Sequence, residues 1–226
     1  MTVANTSVSQ GTVVGPQTCA ALKANMGADQ VACQGIGTED GYAAGLAPNF
    51  QPKNTDAQSI QAAVDMVNLA VTQCPDTTIV MGGYSQGSAV VDNALQEMPP
   101  AQQAKVAGVV VWGFTRAAQD NRQIPGYPAD QTKVFCAPGD LVCNNTLTIT
   151  AAHLTYGANA AESGAFLAKM AKAAGTGKAA TGAAAGGDAG AEAGGAADAA
   201  TGASTGAAAG GEKENAGGLF GGLFGN

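Results

Sequence analysis

Histidine occurs once in this sequence, at position 153, and tryptophan once. One histidine cannot complete a Cys/His zinc site, and the five cysteines form no C-x-x-C cluster, so a metal site has no footing. Basic residues are scarce: 10 Lys and Arg stand against 17 Asp and Glu, a net charge of −7. Phosphate binding needs clustered Lys and Arg, which argues against nucleic acid as a partner. No run of about 18 apolar residues exists, so no membrane span and no stable membrane insertion are expected. The opening residues, MTVANTSVSQ, lack the basic start and apolar stretch of a secretory signal.

Large apolar side chains are also missing from the last part of the chain. Up to about Ala174 the composition is mixed and well punctuated. Beyond it, Ala and Gly dominate, and such a segment cannot bury enough surface to offset its ordering entropy. We therefore expect one folded domain over 1–174 and a disordered, low-complexity tail over 175–226. The tail ends in GGLFGGLFGN, whose Leu219-Phe220 and Leu223-Phe224 pairs read either as a weak sticker for another surface or as a chance repeat in a flexible tail.

The cysteines are Cys19, Cys33, Cys74, Cys136 and Cys143. Cys19 and Cys33 are close enough to staple a short loop, and Cys136 and Cys143 enclose a shorter one. Disulfides require an oxidising compartment. Five buried free thiols are the plainer alternative. Cys74 is left over, which suggests a partner outside this chain.

Short, apolar, β-branched segments at Val31 to Gln34, Thr77 to Met81, Val106 to Trp112 and Lys133 to Cys136 read as buried parallel strands. Helical spacing lies between them. Ile60, Val64, Val67 and Val71 mark a helix over Thr55 to Gln73, with Thr55 or Asp56 as cap. Ser88 to Met98 forms a second, ended by Pro99 and Pro100, and Phe166 to Ala173 lies in a third. The alternation predicts a three-layer α/β/α fold on a mainly parallel central sheet.

The segment Gly83-Tyr84-Ser85-Gln86-Gly87 is a G-x-S-x-G pattern between a strand and a helix. That turn strains the serine backbone and projects its hydroxyl from the carboxyl end of the sheet. The N–H of Gln86, at the helix N-terminus, is placed to meet a developing oxyanion. A glycine-rich turn with an incidental serine is the rival reading. A serine hydroxyl needs a base, and His153 is the one imidazole. Between them lie Asp92, Asp120, Asp130 and Asp140. Asp92 is expected on the solvent face of the helix, and Asp120 and Asp130 in polar turns. Asp140 sits in APGDLV, a loop that a Cys136–Cys143 bridge would pin, and is the expected orienting acid.

GGYSQG, CAPGDLVC and His153-Leu-Thr-Tyr156 resemble the corresponding motifs of fungal cutinases, serine esterases of the α/β-hydrolase type. So do VACQGIG, Cys74-Pro-Asp-Thr77 and Ile124-Pro-Gly-Tyr-Pro128, and the resemblance runs from about Gly11 to Ala173. It implies hydrolysis of the ester bonds of cutin, the plant cuticle polyester, and of short-chain esters. It implies secretion, a monomer, and no metal or cofactor. The triad it implies is Ser85, Asp140 and His153, with Gln86 in the oxyanion hole. It further implies a shallow site flanked by apolar residues, which Leu46, Leu147, Ile149 and Leu154 match; as residues alone those four equally fit the core.

The family pattern also carries an earlier segment with a signal peptide, a cysteine, a strand and an RGSTE-like loop. An ungapped match puts the second oxyanion donor on Ala4; Thr6 or Ser7 serves only across a gap. We expect the native protein to extend upstream of Met1, and expect a long apolar edge beside the sheet's centre without that strand. Asn5 and Asn144 head two sequons. Two rival functions stand beside the first: an acetylxylan esterase-like carbohydrate esterase, and a non-catalytic surface or adhesion protein spaced by the Ala/Gly-rich tail.

Overall fold

The computed structural model describes residues 10–184 and 219–225. In chain order the elements are α1 (Gly15–Met26), β1 (Val31–Gly35), α2 (Ala57–Gln73), β2 (Ile79–Tyr84), α3 (Gln86–Glu97), α4 (Pro100–Gln103), β3 (Val106–Trp112), β4 (Thr132–Phe135), α5 (Ala160–Ala184) and β5 (Leu219–Gly225). The five strands form one sheet in the order β1-β5-β2-β3-β4, with every pairing parallel.

Alternation along the strands builds two cores. Ile79, Met81, Val109 and Val111 face one way and pack with Ile60, Val64 and Val67 of α2 and Val91 and Leu95 of α3. Val80, Val110 and Trp112 face the other way, against Leu22 of α1 and Leu167 of α5. Both faces of the sheet are therefore covered by helices, which is why its strands read as unbroken apolar runs. The cutinase-like three-layer arrangement expected from the sequence is present.

Local chemistry sets the element ends. Asp56 caps α2, its carboxylate accepting from the Ser59 N–H at 2.7 Å. Met98 leaves the helical region and Pro99-Pro100 follow, so α3 stops there. A Cys19–Cys33 disulfide ties α1 to β1, and Cys136–Cys143 closes the loop after β4; Cys74 is a free, half-buried thiol. No described helix is long and apolar enough to cross a membrane.

The third helix continues past residue 174 to Ala184, through a stretch whose alanines favour a helix and whose three glycines do not. Near the other end of the tail, Leu219–Gly225 pairs in parallel with β1 on one side and β2 on the other. Backbone pairing on both sides satisfies polar groups that the short apolar repeat alone could not. The remaining tail, 185–218, lies outside the described residues.

Candidate active site

Because the strands are parallel, the segments that follow β2, β3 and β4 all leave from one rim of the sheet. Ser85 follows β2 with φ 54° and ψ −124°, in a region that L-residues rarely occupy, and it caps α3. Its N–H donates to the Trp112 carbonyl of β3 at 2.9 Å, which fixes the turn against the neighbouring strand. Gly83 lets this happen. A Cβ there would lie 2.2 Å from the Gly87 carbonyl oxygen, so the first glycine of G-x-S-x-G is required by close approach of the two backbones.

Asp140 and His153 meet on the same rim. His153 Nδ1 lies 2.9 Å from Asp140 Oδ2, and both side chains are almost wholly buried. Asp140 has further partners. Its Oδ1 accepts from the Val142 N–H at 3.0 Å, and its Oδ2 accepts from the Tyr156 hydroxyl at 2.5 Å. The carboxylate is held from three sides in the loop closed by Cys136–Cys143. Tyr156 in turn accepts from the Ala137 N–H at 2.9 Å.

Tyr84 joins the imidazole to the serine turn. Its ring stacks on His153 at 4.9 Å between centroids, and its hydroxyl donates to the His153 carbonyl at 2.7 Å. Burial, aided by the Asp140 charge, pushes the Tyr84 hydroxyl up to about 12, so it remains a donor at any working pH. Gly113, directly after Trp112, has φ +53°, and a Cβ there would lie 2.6 Å from His153 Cε1 and 3.1 Å from Asp140 Oδ2. The imidazole and carboxylate thus rest against bare backbone one residue beyond the carbonyl that holds Ser85.

Gln86 is buried and its side-chain amide donates to the Gly45 carbonyl at 2.8 Å, tying the start of α3 to the loop after β1. Ala4, Asn5, Thr6 and Ser7 lie outside the described residues. Leu46, Leu147, Ile149 and Leu154 are exposed, so they do not belong to the core. Phe50 and Leu141 are also exposed, and these six lie on loops that follow β1 and β4. A cleft of about 420 Å³ opens beside them, lined by Phe50 and Leu147 together with Asn49, Thr115 and Asn145. Asn144 is exposed at the same rim.

Asp92 departs from its expected place on a solvent face. Residues Gln86 to Leu95 are all buried, so α3 has no wet side along that stretch. Asp92 pairs with Arg116 at 3.0 Å, and Arg116 also binds Asp120 at 2.7 Å and donates to the Pro52 carbonyl at 2.9 Å. Asp120 is thus a partner in an ion network rather than a simple turn residue, while Asp130 stays in a short turn before β4. Sequence reading missed Tyr84, Gly113, Tyr156 and this network. For Tyr84 and Gly113 a signal existed: each directly follows or ends an apolar strand, on the same rim as the serine.

Comparison with known proteins gives a consistent picture. The family model described as Cutinase matches residues 1–171. A probable cutinase 3 from Neosartorya fischeri is 60% identical over 160 residues, covering 71% of this chain and 73% of that protein. Cutinase 3 from Emericella nidulans is 58% identical over 162 residues, covering 72% of each. Among solved structures, a Trichoderma reesei cutinase in complex with a C11Y4 phosphonate inhibitor aligns with a TM-score of 0.61 at 29% identity, covering 71% of this chain and 69% of that one.

Proposed function

This chain belongs to the cutinase family, and from that premise we propose that it hydrolyses the carboxylic ester bonds of cutin and of short-chain esters through an acyl-enzyme on Ser85. The observation that carries the reading is the buried Asp140–His153 pair stacked on Tyr84, the residue next to the strained Ser85. Ser85 Oγ attacks the ester carbonyl while His153 accepts its proton through Nε2. Asp140, bonded to Nδ1, holds the ring's orientation and stabilises the imidazolium. The backbone N–H of Gln86 receives the oxyanion at the start of α3. His153 then protonates the departing alcohol. Water enters, gives its proton to His153 and attacks the acyl-enzyme, and the acid is released as Ser85 regains its hydrogen.

The exposed Leu46, Leu147, Ile149 and Leu154 flank this chemistry and suit an apolar polyester. One chain supplies all three reacting groups, in keeping with a monomer. Two disulfides support an extracellular setting.

Labelling with a fluorophosphonate, followed by peptide mapping, tests the proposal. We expect stoichiometric modification of Ser85, and a fall in kcat of at least about 10⁴-fold in Ser85→Ala. Butyrate and acetate nitrophenyl esters, then cutin and acetylxylan, separate the polyester from the polysaccharide substrate. Absence of labelling at Ser85 would sink the esterase reading. Strong acetate preference with no release from cutin would sink the substrate.

A further inference from the structure

Two loops on the sheet's rim carry the acid and the base, and one buried side chain spans both. Tyr156 opens the short turn directly after the one that holds His153. From there its hydroxyl crosses to the loop after β4. It accepts from the Ala137 N–H at 2.9 Å and donates to Asp140 Oδ2 at 2.5 Å. The ring stands edge-on to the His153 imidazole, with 6.2 Å between centroids and 90° between planes. The residue is wholly buried. An acceptor for the Ala137 N–H is all that the loop asks of this hydroxyl, yet its own proton goes to the carboxylate.

Which oxygen receives that proton matters. Oδ1 of Asp140 is taken by the Val142 N–H at 3.0 Å, and Oδ2 faces His153 Nδ1 at 2.9 Å. Tyr156 therefore shares the oxygen that binds the imidazole. Two donors on one oxygen draw on the same negative charge, so each bond is weaker than it would be alone. In a buried site water does little to screen that competition. Burial, with the bond to Asp140 adding to it, pushes the Tyr156 hydroxyl above its ordinary range, so it keeps its proton. The other neighbours of the pair do not compete in this way. Tyr84 stacks on the imidazole and donates to the His153 carbonyl. Cys143 Sγ lies 4.0 Å from Oδ2 but is held in a disulfide and has no proton to give.

We infer that Tyr156 is a positioning residue for the acid–base pair: its hydroxyl fixes Asp140 Oδ2 opposite His153 and moderates the pull of that oxygen on the imidazole. An imidazole held too strongly by a buried carboxylate retains its proton and cannot take the one on Ser85. Moderating that hold extends turnover to lower pH. This consequence rests on the esterase reading; the shared bond does not.

Tyr156→Phe removes the hydroxyl and keeps the ring. His153 is the one histidine in the chain, so its imidazole N–H signals in proton NMR are unambiguous. We expect the Nδ1–H resonance to move downfield in the variant, as the bond to Oδ2 strengthens. The acidic limb of kcat/KM on a nitrophenyl butyrate should move up by at least about 0.5 pH unit, roughly threefold in activity on that limb. Should the variant fail to fold, 3-fluorotyrosine placed at position 156 keeps the hydroxyl and makes it a stronger donor, and both readouts are then expected to move the opposite way. A folded variant with the resonance and the limb unmoved, and kcat lowered at every pH, overturns the inference and leaves Tyr156 a structural brace. A resonance that moves as expected in a chain whose Ser85 takes no fluorophosphonate supports the shared bond and counts against the esterase reading.

Discussion

At residue 113 a methyl group would collide with both members of the buried Asp140–His153 pair. The carboxylate is already fixed by the Val142 N–H and the Tyr156 hydroxyl, so the imbalance would fall on the imidazole. Gly113→Ala is expected to lower kcat by about a hundredfold, the cost of a displacement near 1 Å at a reacting group, with KM for a soluble ester nearly unchanged. Steady-state kinetics checks this, and an unaltered kcat would show that the ring does not depend on that space. The distinction between Gly113 and Asp140 shows what a sequence reveals at this scale. An acid in a cysteine-closed loop announces itself by type and position. A glycine that matters for the volume it leaves empty announces nothing until the neighbours are in place. Asp92 illustrates the opposite error: an acidic residue on a helix suggests a wet face, and only packing shows that α3 has none along that stretch.

Among the elements, α2 was readable because its apolar residues recur every three or four positions above a clear cap. That cap gives a prediction independent of the active site. Asp56→Ala removes the bond to the Ser59 N–H and is expected to cost about 1 kcal/mol of stability, seen as a Tm lower by a few degrees, while kcat stays at its original value. A Tm unchanged within error would mean that the first turn of α2 finds another acceptor. Helix α1 escaped notice for a physical reason: it buries only Gly15, Thr18, Cys19 and Leu22, a face too small and too mixed to leave a periodic signal. Helix α3 begins at Gln86, two residues before the expected start, since the serine turn feeds straight into it. Strand β5 was unreadable in principle. Glycine pairs erase its alternation, and only its pairing with β1 and β2 identifies it as a strand.

For the molecule as a whole, Asp92, Arg116 and Asp120 bind α3 to the segment after β3, and Arg116 reaches on to the loop at Pro52. Burial, with the Asp120 charge adding to it and Arg116 opposing, pushes the Asp92 carboxyl up from 3.8 to about 7. A carboxyl whose pKa is higher when folded favours the fold in its protonated form. That contribution is fully present below about 4, and it is lost as pH rises through about 7. Melting curves of the native chain and of Asp92→Asn between pH 4 and pH 8 test the sign. The difference in Tm should move in the variant's favour by several degrees as pH rises, Arg116 keeping Asp120 as its partner. A difference independent of pH would refute it. On the same scale, the exposed leucines, Ile149 and Phe50 lie on the loops after β1 and β4, leaving Leu69 as the one large apolar residue exposed elsewhere among the described residues. A particle wetted so unevenly has a preferred way of landing. On a waxy film it would settle with the serine turned inward, so its turnover would follow the area of film it finds rather than the amount of ester dissolved around it.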